Sequence, residues 1–346
     1  MKKQRCTALH VYGSPYSEFE VRDCIFRPSD NFCKHVLPPR HNLTTFSFNS
    51  VTLLSSVFEP WTIAALRNSN ISALRLDVSS NDCRFVEIVS QTLPNLRELE
   101  ICLLVAPDKT LRMAKLLARL SALETLRMSS VLVDLSARQA IPLPIPQLSQ
   151  LTTVAASIPY INYLLNLGAP RALPALTDLE ISASLSSTSK PSVSPLGRLA
   201  AVFEGLERHR LAPRITLALT CTDSQTPLDW ACKAFDHVLG DEWTRWASTV
   251  RVLSISVRAK RPGPRHPHLN INQPYLVLLR HRLKIFSALA EVRFEDGCKY
   301  GHRDEPLRRL AEADALAVVM GASPRVDRIV VNSRVVQLGS RTLCSS

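Results

Sequence analysis

Arg75, Glu100 and Arg127 alternate in sign at nearly even spacing along the chain, and Arg97 and Glu124 repeat the alternation at the same spacing. Opposite charges held side by side form an ion ladder. Exposed pairs of this kind contribute about 0–1 kcal/mol each, so the plain reading is a self-neutralising surface. The functional reading is a patch that offers charged and hydrogen-bonding groups to another protein, with Glu98, Asp178 and Glu180 extending the set. A phosphate backbone needs consistent positive charge, so nucleic acid is not expected along this row.

The sharpest local charge lies in residues 258–268, where Arg258, Lys260, Arg261 and Arg265 stand among prolines and histidines. Such a segment suits a nuclear address or an RNA contact. No aromatic residue interleaves it, so a stacking platform for single strands is missing, and a solvated loop is the plainer reading. Cys24, Cys33, His35 and His41 carry zinc-binding atoms, but their spacing matches no common knuckle. Cys298 and His302 flank a turn. The chain has no Gly-x-Ser-x-Gly elbow, His-Glu-x-x-His helix or phosphate-cradling glycine loop. No catalytic, cofactor or metal site is therefore expected, and the chain is read as a non-enzyme.

The charged residues are spaced by an apolar phrase, Leu-x-x-Leu-x-Leu with conservative swaps. Plain copies are Leu43-Phe46-Phe48, Ile71-Leu74-Leu76, Leu96-Leu99-Ile101, Leu123-Leu126-Met128 and Leu176-Leu179-Ile181. Looser copies begin at Leu151, Val250, Leu289 and Val326, and Ile215-Leu217-Leu219 implies a start near 212. An outlying copy is Cys6-Leu9-Val11. Successive starts from 43 to 176 are separated by roughly 25–28 residues, and later ones by roughly 36–39 residues. A near-constant period of this length implies a stacked array. Between phrases the apolar period changes from two to about 3.6, which predicts helix, most plainly over 85–93, 111–123, 199–209, 230–239, 275–286 and 306–320. Gly168 and Gly321 fit helix C-caps. Parallel strands need a crossover, usually a helix. Side chains alternate along a strand, so the anchors face the helices and the x positions face outward.

The hydrophobic fraction is 46%, enough for a large core, and the apolar runs fall short of the ~18 residues of a membrane span. The nine scattered cysteines do not form a disulfide framework. These features suggest a soluble protein of the cytoplasm or nucleus, with no membrane partner. The net charge is +12, of which residues 251–346 hold +9. A basic C-terminal third allows an RNA-binding alternative.

The phrases Asn70-Ile71-Ser72-Ala73-Leu74-Arg75-Leu76, Leu93-Pro94-Asn95-Leu96-Arg97-Glu98-Leu99-Glu100-Ile101 and Leu173-Pro174-Ala175-Leu176-Thr177-Asp178-Leu179-Glu180-Ile181 resemble the leucine-rich-repeat proteins. More narrowly, they are similar to the repeat regions of F-box proteins abundant in fungi. The resemblance spans about residues 43–335. It implies an α/β leucine-rich-repeat solenoid, a horseshoe with a parallel concave sheet and convex helices. It also implies a protein ligand on the concave face and, through an N-terminal F-box, an adaptor of a cullin ubiquitin ligase. No apolar helical F-box precedes residue 43, so that module is expected to be missing or truncated. The asparagine ladder of such repeats is also absent, its positions holding Val51, Ser79, Leu104, Val131, Pro159 and Ser184.

The expected organisation is an irregular segment 1–42 with a first strand at 6–11, short-period repeats 43–182, a Ser/Pro loop 183–198, long-period repeats 199–335 and a tail 336–346. The expected function is a protein-binding scaffold, the substrate-recognition part of an F-box-type ligase receptor. A stand-alone repeat protein without a ligase role is the alternative, beside the RNA-binding one. Val330, Val331, Val335 and Val336 are expected to be poorly covered at the C-terminal end.

Overall fold

The computed structural model describes residues 8–11, 19–21, 24–26, 43–48, 59–78, 88–89, 92–93, 95–103, 116–128, 148–166, 173–185, 195–221, 241–257, 283–296, 319, 321, 323, 325–331 and 334–337. The chain divides into two compact units, residues 1–177 and 178–346. The helical expectations over 230–239 and 306–318 and the cap at Gly168 lie outside the described residues, as do the loop residues Arg258, Lys260, Arg261 and Arg265. Among the described residues no helix is long and apolar enough to cross a membrane.

In the first unit the strands are β1 (Ala8–Val11), β2 (Phe19–Val21), β3 (Cys24–Phe26), β4 (Thr45–Phe48), β5 (Ala73–Val78), β6 (Glu98–Leu103), β7 (Thr125–Met128) and β8 (Thr153–Ser157). Its helices described from end to end are α1 (Glu59–Arg67) and α2 (Ile158–Asn166), and residues 88–89, 92 and 116–119 are helical as well. The strand order is β3-β2-β1-β4-β5-β6-β7-β8, and every pair from β1–β4 to β7–β8 is parallel. The pairing follows the phrase. Leu9 meets Phe46, Phe46 meets Leu74, Leu74 meets Leu99, Leu99 meets Leu126 and Leu126 meets Val154. Residues 8–11 of the outlying copy thus belong to the ribbon, and Cys6 lies outside the described residues. Within the segment expected to be irregular, β2 and β3 add an antiparallel hairpin to β1. These strands are short and carry no triplet, and antiparallel neighbours need no long crossover, so the repeat pattern does not reveal them.

The second unit holds β9 (Asp178–Leu185), β10 (Arg214–Cys221), β11 (Val250–Val257), β12 (Glu291–Asp296), β13 (Arg328–Val331) and β14 (Arg334–Gln337), with α3 (Pro195–Arg208), α4 (Asp241–Ala247) and a 3-10 turn at Leu283–Ile285. Strands β9 to β13 are parallel in sequence order, and β14 returns antiparallel to β13. In the buried row Ile181 pairs with Leu217, Leu217 with Leu253, Leu253 with Val292 and Val292 with Ile329. Between β10 and β11 the register departs from the phrase count. Leu253 meets Leu217 rather than Ile215, two positions from the count; the ladder also shifts by one at Ile215/Thr216, which pair with Val250 and Val252 and leave Arg251 as the extra residue. The departure from the count is an even number of positions, so buried and exposed faces are preserved. At the end of the chain Val330 is buried by this pairing, whereas Val335 on β14 is 49% exposed.

The anchors form the core. Leu74, Leu99, Leu126 and Val154 are each at most 2% exposed, and so are Leu217 and Val292. Burying each contributes roughly 1.5–3 kcal/mol. On α3 the buried residues Leu199, Val202, Phe203 and Leu206 follow the helical spacing of an apolar stripe. Pro195 opens that helix, where its missing N–H removes no intrahelical bond. The helix ends in a left-handed cap. Arg210 has φ 55°, the Leu211 N–H donates to the Leu206 carbonyl at 2.9 Å, and the Arg210 N–H donates to the Glu207 carbonyl at 3.0 Å. Those are the two bonds of a Schellman motif, which glycine usually closes. Gly321, expected as a C-cap, is instead helical, and its φ is not left-handed.

Candidate interaction face

The strands bring the charged rows together as their spacing requires. Ser47, Arg75, Glu100, Arg127 and Ala155 are consecutive partners across β4 to β8. The anchors flanking Arg75, Glu100, Arg127 and Ala155 are buried, so the residues between them project from the opposite face. Arg75 and Arg127 are exposed, and Ser47 at one end of the row is buried. The Arg75 Nε lies 3.4 Å from Glu100 Oε1. In the neighbouring row Arg97 Nη1 lies 3.4 Å from Glu124 Oε1. Arg127 is the partner of Glu100 in register, yet among the described residues no ion pair joins them. Glu98 opens β6 between Ala73 and Thr125, its side chain exposed. Asp178 and Glu180 belong to the second unit, where they pair in register with Arg214 and Thr216.

What holds this face in register is a backbone seam at the strand starts. From Leu43 to Leu123 the carbonyl of the residue after the first anchor accepts two N–H groups from the next repeat. Thr44 receives Ser72 and Ala73 at 2.9 and 3.0 Å, Ser72 receives Arg97 and Glu98 at 2.9 Å each, and Arg97 receives Glu124 and Thr125 at 2.8 and 2.9 Å. Glu124 receives Thr152 and Thr153 at 2.9 and 3.1 Å. Each of these carbonyls thereby serves two backbone donors at once. Hydroxyls reinforce the seam where the sequence supplies them: Thr152 Oγ1 donates to the Glu124 carbonyl at 3.1 Å and Thr177 Oγ1 to the Thr152 carbonyl at 3.2 Å. In the second unit the Ala290 carbonyl likewise accepts Asp327 and Arg328 at 3.1 and 3.3 Å.

Each strand is aimed by a tight turn just before it. The N–H groups of Leu123, Leu151 and Leu176 donate to the carbonyls of Leu120, Leu148 and Leu173, and Leu96 does the same to Leu93. All four acceptor leucines are buried. The repeat therefore has a fourth anchor shortly upstream of the phrase, visible in the sequence as a recurrent leucine but not counted in the triplet. The asparagine-ladder positions divide. Val51, Ser79, Leu104 and Val131 lie outside the described residues, Pro159 sits in the first turn of α2, and Ser184 is within β9.

Two further groups escape sequence reasoning. Glu291, 3% exposed, is met by Arg293 Nε at 2.7 Å and Arg328 Nη1 at 3.7 Å. A buried carboxylate requires such partners. The second is a groove of about 690 Å³ beside α3 and α4. Its floor includes Phe203 and Trp246, stacked with centroids 5.6 Å apart. Glu207 Oε1 accepts from Trp246 Nε1 at 3.1 Å and lies 2.9 Å from Arg245 Nη2. These side chains come from two helices well separated in the chain, so no local motif announces them. On α2 of the first unit, burial pushes the Tyr163 phenol up to about 12, because the charged form loses its hydration there.

Of the zinc-type residues, Cys24 is in β3, while Cys33, His35 and His41 lie outside the described residues, as do Cys298 and His302. No family model matches the chain, and no curated protein matches it.

Proposed function

We propose that the chain is a non-catalytic leucine-rich-repeat scaffold, of horseshoe type, whose strand face binds another protein. The observation that carries this reading is the outward row Arg75–Glu100–Arg127, set on strands whose register is fixed by the paired carbonyl seam. A face held rigid before contact loses little conformational freedom on binding, which favours affinity. Mixed charge on such a face selects a partner of complementary pattern and disfavours wrong ones. The use we favour is substrate capture for an F-box-type ubiquitin ligase, acting in the cytoplasm or nucleus, with the ligase adaptor reached through an N-terminal module. A stand-alone scaffold is the alternative.

Photo-crosslinking residues placed at positions 75, 100 and 127 test the face, with Ala118 and Glu204, both exposed outside the strands, as comparison sites. The reading expects a discrete adduct from the strand positions that is lost in Arg97→Glu. Equal adducts from strand and comparison positions overturn it. A pull-down with purified ligase adaptor separates the two uses: an adduct on the strand face without adaptor retention by an upstream-extended chain leaves the stand-alone scaffold.

A further inference from the structure

The groove beside α3 and α4 lies wholly within the second unit and has its own chemistry. About 690 Å³ falls within the roughly 300–1,000 Å³ of small-molecule sites. Its floor is apolar, built from Phe203, Leu206, Ile215 and Trp246. Besides Glu207, its charged linings are Arg214 and Arg251, both exposed. Glu207 is already neutralised by Arg245 at 2.9 Å. Among the described residues neither Arg214 nor Arg251 is in an ion pair, even though Asp178 is the register neighbour of Arg214. Arg251 makes one long bond, from Nη1 to the Ala288 carbonyl at 3.4 Å. Two positive charges therefore line an apolar groove without an acidic partner.

The backbone is also unusual at this place. Arg251 is the extra residue where the β10–β11 register shifts, and bulges of this kind re-aim side chains, often beside sites. Arg210, with its left-handed φ of 55°, turns the chain so that Leu211 and Ala212 line the groove. That conformation is uncommon for a non-glycine residue, and such strain clusters at ligand clamps.

We propose that this groove binds a small organic acid, a flat apolar body carrying one carboxylate. The body lies on the Phe203–Trp246 floor, and the carboxylate accepts from the guanidinium groups of Arg214 and Arg251. Such charge-assisted bonds are short and orienting.

Calorimetry on the full chain with 1-naphthoate and its neutral counterpart 1-naphthamide tests the proposal. The expected result is naphthoate binding at least tenfold tighter than naphthamide. Arg214→Gln combined with Arg251→Gln removes that preference and leaves naphthamide affinity unchanged. Both arginines are exposed, so the melting curve of this variant should match the parent. Ala212→Trp, at an exposed lining position, should weaken both ligands. Equal affinity for the two probes overturns the proposal, as does a naphthoate affinity indifferent to the arginine changes. Absence of binding at millimolar probe also overturns it.

Discussion

The first unit and the second each build a parallel ladder of their own, with different amounts of chain between rungs. In the first, β4 to β8 follow one another every 25 to 28 positions, and α1 and α2 have 9 residues each. In the second, β9 to β13 pair at offsets of 36 to 39 positions once past the register shift, and α3 has 14 residues. A helix of that length spans about 21 Å and carries a complete apolar stripe. The longer connection does more than thicken the layer: it leaves room for the Phe203–Trp246 stack, the Glu207–Arg245 pair and a groove. Short connections yield a plain ribbon whose chemistry lies on its strands, and long connections create recesses beside it.

The largest effects are expected at the anchors. Leu99→Asp in the first unit and Leu217→Asp in the second should each cost more than about 4 kcal/mol, the sum of a lost large side chain and a buried charge. Amide hydrogen exchange should show protection lost across β5–β7 or β10–β11 respectively; protection retained there would mean the anchors are not the core. Next comes Arg293→Ala. It leaves Glu291 with the more distant Arg328, and a cost of roughly 2–4 kcal/mol is expected in urea titration. Both backbone swaps in the second unit should be gains. Arg210→Gly relieves a left-handed residue, and Gly321→Ala, which meets no atom within 4 Å of its new methyl, restrains the unfolded chain. About 0.5–1 kcal/mol is expected for each, and a lower melting temperature in either would contradict the backbone geometry. Arg75→Ala should change stability by less than about 1 kcal/mol, because that pair is open to solvent.

At neutral pH the smallest effect is that of Tyr163→Phe. Its meaning emerges in alkali. The phenol rises from 10.0 unfolded to about 12 folded, so the neutral group's contribution is complete below pH 10 and is lost as pH climbs through about 12. The parent should therefore lose stability above pH 10 faster than the phenylalanine variant. Parallel curves between pH 9 and 12 would remove the assignment.

Much of this is legible in the sequence. The triplets name the parallel rungs, and their alternation with the charged residues names the face, including the Arg75–Glu100 and Arg97–Glu124 pairs. This works because side-chain period in a strand is fixed at two and the paired rows repeat it. Three things are hidden. The strands at the ends, β2, β3 and β14, join by antiparallel pairing, which needs no repeat-length connection. The β10–β11 ladder pairs two positions away from the apolar count and carries an extra residue, Arg251, that the count does not see. The groove assembles from α3, α4, the starts of β10 and β11, and Ala290 just before β12, which only folding brings together. The cap at Arg210 is hidden for a related reason: glycine is the usual sign of such a cap, and here the Schellman bonds impose the left-handed turn on an arginine.

The doubly used carbonyls have a genetic implication. Every joint from Thr44 to Glu124 offers the same acceptor to the same pair of donors, whatever the side chains. A whole copy of one rung, spliced in at any such joint, finds matching partners above and below. Lengthening by duplication is thus the change this region accommodates most readily, and loss or gain of part of a rung is the change it resists.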